Sequence, residues 1–426
     1  MLGAALGLAA PSSAEQSGLT GSGAAWALSM PQRWNGTLLI YSHGYSAALR
    51  APDLAPRGTE DWLLAHGYAL IASAYSSPGW AVAEAVPDQM AALDAFALQY
   101  GHPQRVIAWG SSMGGLITIA LAEQYPGRIA AALPSCGSIA GSLGMMNQAL
   151  DGAFAVKWLL AGDADIQLVR IDDDRANAQR VEALVERASR SAAGRARLAL
   201  AAAVSQWPMP DEADRGFAGI SPRDFAAGVF LPRHDQEQRA GGVFSWNSGV
   251  DYRRQLHRSG QAMRVRDLYR AANLSLSADL GTLNSAPRIA ADPAAVSYMR
   301  LHYVPTGELT IPVLSYQTLG DPLTVASQQM SYASAVRGAE RANLALGWVQ
   351  RAGHCEFSAA EHIAALQSIE ARLRDGRWQS SPERLNSLAA ATGLGDARFT
   401  AQHAANFLRP CGRAHCPGEP VGAPAQ

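Results

Sequence analysis

Short, almost wholly apolar runs alternate with stretches whose apolar residues recur at helical spacing, at both ends of the chain but not in its middle. Ala25–Met30 and Trp34–Tyr41 read as strands separated by the turn-like Pro31, Gln32 and Arg33. Residues 59–66 predict a helix and Tyr68–Tyr75 another strand. Across Ala81–Tyr100 the residues Val82, Ala85, Met90, Leu93 and Phe96 form one apolar helical face. Arg105–Trp109 is a further strand, Leu116–Ala122 a helix, and Ile129–Pro134 a strand that ends at Ser135, Cys136 and Gly137. Strands and helices alternating in this way predict an α/β chain with a doubly wound, mostly parallel sheet. In such sheets the working groups gather at the carboxyl ends of the strands.

The rhythm breaks over residues 138–308, which are rich in alanine and arginine. Helical runs at Arg180–Arg190 and Arg195–Val204 are followed by a loop-rich section, Trp207–Gly260. An insertion of this length between two sheet strands predicts a separate, mainly helical cap. Its aromatics, Trp207, Phe217, Phe225, Phe230, Phe244 and Trp246, read as the core of that cap. Asp172, Asp173 and Asp174 lack the spaced ligands of a calcium loop and read as a helix start. The alternation resumes with a strand at Ile311–Tyr316 that runs out at Thr318–Pro322, then a helix to about Arg337 and a strand at Asn343–Val349. A helix at Ser358–Leu373 follows. The expected division is a signal-like segment at 1–16, a core of 17–137 and 309–378, the cap at 138–308, and a surface extension at 379–426.

Composition narrows the picture further. The chain has 426 residues, 48% hydrophobic, enough for a large core and a second lobe. A net charge of −1 gives no electrostatic case for nucleic acid or an anionic membrane. Leu2–Ala10 is a short apolar run, and Ser12 and Ala14 stand where a signal peptidase cuts, so a secreted or periplasmic destination is expected. No later run approaches the roughly 18 apolar residues of a membrane span. Cys136, Cys355, Cys411 and Cys416 allow three pairings, and an exported chain would oxidise them. Cys411 and Cys416 are close enough to close a small loop. No metal or cofactor is expected.

The candidate chemistry centres on Gly110, Ser111, Ser112, Met113 and Gly114, a G-x-S-x-G pattern between a strand and a helix. There a sharp turn would strain Ser112 and expose its hydroxyl, and a Cβ at residue 110 or 114 would collide with the neighbouring strand or helix. A serine needs a base to take its proton, and the base needs a carboxylate to hold it. Asp321 after one strand and His354 after the next supply both, in the order Ser, Asp, His. Asp321 could instead cap a helix beginning near Pro322. With Ser42, His43, Gly44 and Tyr45 at another strand end, the chain resembles the α/β-hydrolase superfamily, most closely its serine esterases and prolyl-oligopeptidase-like members.

That resemblance covers residues 25–137 and 309–375. It implies Ser112 as nucleophile, His354 as general base and then acid, and Asp321 as the orienting carboxylate. It also implies an oxyanion hole from the N–H groups of Met113 and Tyr45, with His43 shaping the loop. Tannases and some feruloyl esterases carry a cysteine before the nucleophile, joined to one after the histidine. This chain has Cys355 after His354 but Ser111 before Ser112, so Cys136 is offered as the alternative partner. The expected activity is cleavage of a small carboxylic ester through an acyl-enzyme. A peptidase, amidase or lactonase on the same triad is the first alternative, and a non-catalytic binding protein on the same fold is the second.

Overall fold

The computed structural model describes residues 14–208, 221–230, 233–412, 416, 418 and 419. Eight strands form one sheet: β1 (Ala14–Leu19), β2 (Ala25–Met30), β3 (Thr37–Ser42), β4 (Ala69–Ser73), β5 (Arg105–Ser111), β6 (Ala131–Ser135), β7 (Val313–Gly320) and β8 (Leu344–Ala352). Their spatial order is β1-β2-β4-β3-β5-β6-β7-β8. The first two pairings, β1 with β2 and β2 with β4, are antiparallel; all later ones are parallel. This is the expected doubly wound α/β architecture.

The central strands are apolar without interruption because both faces are covered. Alternate residues go to opposite layers. Leu38, Ile40, Ile71, Val106 and Ala108 pack on one face, against α2 (Val82–Tyr100) and α3 (Met113–Gln124). Leu39, Tyr41, Leu70, Ile107 and Trp109 pack on the other, against α1 (Glu60–Ala65), and against α14 (Ala359–Asp375) and α15 (Pro382–Thr392) from the end of the chain.

Between β6 and β7 the chain builds nine described helices before it returns to the sheet. They are α4 (Gly141–Leu160), α5 (Asp174–Ser189), α6 (Ala192–Ser205), α7 (Pro222–Phe230), α8 (Arg233–Ala240), α9 (Tyr252–Arg258), α10 (Ala262–Ala271), α11 (Leu276–Ser285) and α12 (Pro293–Leu301). A helix α13 (Ser327–Ala335) then joins β7 to β8, followed by a 3₁₀ segment at Gly338–Asn343. The inserted helices have a core of their own, including Leu150, Phe154, Leu184, Leu200, Trp207, Phe225 and Tyr269. Asp173 begins α5 as its N-cap, accepting from the Ala176 N–H at 2.9 Å. Phe217 and residues 1–13 of the signal-like segment lie outside the described residues, as does the Phe230 side chain.

Several features differ from expectation: the section expected to be loop-rich holds α7, α8 and α9, and Phe244 and Trp246 pack with the core of the sheet and not with that of the insertion. Strand β1 begins inside the signal-like segment; it is polar and lies at the sheet edge, so it shows no apolar alternation. The tail beyond residue 379 is more than a surface wrap. It forms α15, and Arg409 runs into the insertion, where its Nη1 donates to both carboxylate oxygens of Asp151 at 2.9 and 2.7 Å. Asp151 is fully buried and also accepts from Tyr252 Oη at 3.1 Å and Gln255 Nε2 at 2.6 Å. Removing one partner of such a pair leaves an uncompensated buried charge. Arg409→Met is expected to cost about 3–5 kcal/mol of stability, read as a lowered denaturant midpoint with unchanged slope.

Candidate active site

Strand β5 passes into α3 through Ser112, whose backbone stands at φ +60° and ψ −122°. A non-glycine residue rarely adopts that geometry, and its surroundings hold it there. The Ser112 N–H donates to the Ser135 carbonyl at 3.1 Å, and its carbonyl accepts from Gly115 and Ser138 at 2.9 and 3.1 Å. The flanking glycines make the turn possible. A Cβ on Gly110 would lie 2.3 Å from the Gly114 carbonyl oxygen, and one on Gly114 would lie 1.9 Å from that of Ser42. Both are backbone collisions that no rotamer relieves.

The other two residues also follow strand ends. Asp321 comes directly after β7 and is fully buried. His354 follows β8 through Gly353, whose N–H donates to the Gly320 carbonyl at 3.0 Å. His354 Nδ1 lies 3.0 and 2.9 Å from the two Asp321 oxygens, and Nε2 lies 2.9 Å from Ser112 Oγ. A carboxylate at Nδ1 places the ring proton there and leaves Nε2 as an acceptor for the serine O–H. Burial disfavours the His354 cation, but the Asp321 carboxylate outweighs it, and the net shift is above the ordinary 6.5.

Asp321 is held in turn by the Leu323 and Thr324 N–H groups at 2.8 and 2.9 Å, and by Thr324 Oγ1 and Gln317 Nε2 at 3.0 and 3.2 Å. The helix after it, α13, starts only at Ser327, so Asp321 caps a turn and not a helix. Cys136 and Cys355 form a disulfide with a Cα separation of 5.3 Å, and Cys411 pairs with Cys416. Thr324 Oγ1 lies 2.8 Å from the Cys136 carbonyl, so the bond ties the start of the insertion to the Asp321 turn and the His354 loop. Disulfides of this kind fit an extracellular or periplasmic setting. Sequence reading left Gln317 and Thr324 unnoticed, because neither type marks chemistry by itself.

Beside Ser112, Gly44 comes so close that a Cβ on it would sit 3.1 Å from the serine Cβ. Tyr45 is therefore the next residue along a chain that lines Ser112. Met113 is the first residue of α3, where an N–H has no partner within the helix. The Tyr45 hydroxyl is pushed up to about 12, mainly by burial and then by the Asp235 carboxylate, so it stays protonated at neutral pH. His43 stacks on Tyr75 at 4.1 Å, and its Nδ1 lies 2.6 Å from the Gly44 carbonyl. Burial lowers its pKa, which favours the neutral ring. Asn247 and Tyr252 lie buried around Asp151, and Asp251 caps α9, so their positions in the insertion are accounted for by packing and capping.

Residues 19–185 match the tannase-like family of unknown function (DUF6351). An o-phthalyl amidase of Xanthobacter agilis is 30% identical over 437 residues, covering 89% of this chain and 92% of that protein. Among solved structures, an esterase of Pyrococcus furiosus is similar at 11% identity and a TM-score of 0.39, covering 86% of this chain and 91% of its own. Feruloyl esterase B of Aspergillus oryzae is similar at 11% identity and a TM-score of 0.41, covering 91% and 85%. With the parallel sheet and the extent of the amidase match, the chain belongs to the α/β-hydrolases, in the same family as the o-phthalyl amidase of Xanthobacter agilis, and is a hydrolase of esterase or amidase type.

Proposed function

We propose that the protein is a serine hydrolase that cleaves a small carboxylic acid derivative through an acyl-enzyme. The observation that carries this reading is the unbroken relay from Ser112 Oγ through His354 to Asp321 at hydrogen-bond distances. His354 takes the Ser112 proton as the oxygen attacks the acyl carbon, then returns it to the leaving group. Water attacks the acyl-serine by the same route. The N–H groups of Met113 and Tyr45 receive the developing oxyanion, each worth about 10²–10³ in rate. The inserted helices, proposed as a cap over residues 138–308, would enclose the acyl group.

Two leaving groups remain in view. Ester cleavage is what the motifs suggest, while the name of the 30% identical relative favours an amide. Amide cleavage asks more of the same histidine, because a nitrogen leaving group departs only once protonated. Matched pairs of aryl ester and anilide, with o-phthalyl, benzoyl and acetyl groups, separate the two. Turnover of the o-phthalyl anilide, with a kcat/KM at least tenfold above that of the acetyl anilide, is expected for an aromatic amidase. Turnover confined to the esters would establish an esterase, and no turnover of any pair would remove the hydrolase assignment of Ser112.

A further inference from the structure

The chain that carries Gly44 and Tyr45 is gripped on both sides by a neighbouring loop, residues 75–80. Tyr75 Oη donates to the His43 carbonyl at 3.0 Å, and the Gly79 N–H donates to the Ser46 carbonyl at 2.7 Å. Tyr75 itself stands at φ +63°, a conformation that its surroundings must impose.

Much of what holds this loop belongs to the insertion. Asp235 Oδ2 on α8 accepts from the Trp80 N–H at 2.6 Å. Gly79, at φ +80°, lies against the same carboxylate, and a Cβ there would come within 2.5 Å of Oδ1. One turn along α8, the Arg239 guanidinium joins Asp235, the start of α2 and the loop. Nε donates to Asp235 Oδ1 at 3.2 Å, Nη1 to Glu84 Oε1 at 3.0 Å, and Nη2 to Ser77 Oγ at 2.8 Å and to the Pro78 carbonyl. Its side chain is 15% exposed, so these bonds are poorly screened, and the rigid fork fixes direction as well as distance.

We propose that Asp235 and Arg239 are positioning residues for the hydrolysis, because seating α8 on the 75–80 loop sets where the Tyr45 N–H stands relative to Ser112. The inference rests on the serine-hydrolase reading. It adds that the insertion completes the oxyanion hole as well as covering the site. An oxyanion donor works only when it meets the oxygen at hydrogen-bond distance, and a displacement of about 1 Å costs on the order of 10² in rate.

The test uses the full chain with an aryl ester that the wild type turns over, and an aryl boronic acid whose adduct on Ser112 mimics the oxyanion. Arg239→Met is expected to lower kcat about 10- to 100-fold with KM within about twofold, and to weaken boronate inhibition by the same factor. Asp235→Asn keeps an acceptor for Trp80 but loses the charge, and should show a smaller loss of the same kind. A lowered Tm with unchanged kcat would make the clamp merely structural and overturn the proposal. A fall in kcat without parallel loss of boronate affinity would overturn it too. Should Arg239→Met fail to fold by circular dichroism, Asp235→Asn decides on the same readouts. Ser112→Ala, run alongside, tells the readings apart: if it matches the wild type, the serine-hydrolase reading itself falls.

Discussion

Ser112→Ala is expected to lower kcat by about 10⁶ while leaving the fold intact. The loss is large because nothing nearby replaces the hydroxyl. Among the described residues, the Ser112 oxygen is the hydroxyl that stands at His354 Nε2, at 2.9 Å. The Cys355 sulfur is 3.5 Å from the same nitrogen, but it is committed to a disulfide and has no proton to give. Alanine also fits the backbone turn no worse than serine, since both carry the same Cβ at φ +60°. Stability should therefore stay within about 1 kcal/mol. Because the residues act as a unit, adding His354→Ala to Ser112→Ala should cost little more. Steady-state turnover of an aryl ester, with fluorophosphonate labelling of the wild type as a count of live sites, provides the measurement. A variant within tenfold of the wild type would exclude Ser112 as the nucleophile.

The central sheet was legible in the sequence because its strands are buried on both faces. Leu38–Ile40, Ala69–Ala72 and Val106–Trp109 are apolar at every position and send alternate side chains to two different layers. The candidate triad was legible for a related reason. Ser112 and Asp321 directly follow β5 and β7, His354 follows β8 after Gly353, and parallel strands bring their carboxyl ends to one edge. Cys136 follows a strand end too, and the resemblance to tannases, which join a cysteine after the histidine to one near the nucleophile, let its pairing with Cys355 be suggested without a structure.

What escaped reading lies where polar contacts between distant residues do the work. Helix α8, with the sequence RHDQEQRA, has no apolar period, yet Asp235 and Arg239 reach residues 155 to 162 positions earlier. Arg409 looks like one more tail arginine until its contact with Asp151, 258 residues away, is seen. Tyr75 ended an apolar run and read as strand, but β4 stops at Ser73 and Tyr75 turns to a positive φ. Hydrophobic periodicity reports on layers. It is silent on ion pairs closed by the tertiary fold.

Asp321→Asn is the second change with a large expected effect, about 10⁴ in kcat. In the wild type both Asp321 oxygens face His354 Nδ1, and the same two oxygens take N–H groups from Leu323 and Thr324 and the hydroxyl of Thr324. An asparagine has one oxygen for these donors and must turn its NH₂ toward the others. With the oxygen kept at the Oδ1 position on the two backbone N–H groups, the NH₂ takes the Oδ2 position, the nearer one to His354 Nδ1 at 2.9 Å, and donates to it. Nδ1 then becomes an acceptor, the proton moves to Nε2, and Nε2 can no longer take the proton of Ser112. The pH profile gives a second, independent reading. His354 works as a base only when neutral, and its net pKa is raised because Asp321 outweighs burial. Wild-type kcat/KM is therefore expected to be full above that raised pKa and to fall as pH drops through it, at a midpoint above 6.5. In the asparagine variant the carboxylate is gone and burial remains, so the midpoint of the residual activity should move to lower pH. Measuring kcat/KM from pH 5 to 10 for both proteins checks the size and the direction together. A loss below tenfold, or an acid limb that does not move, would leave Asp321 with a structural task in its turn and no part in orienting His354.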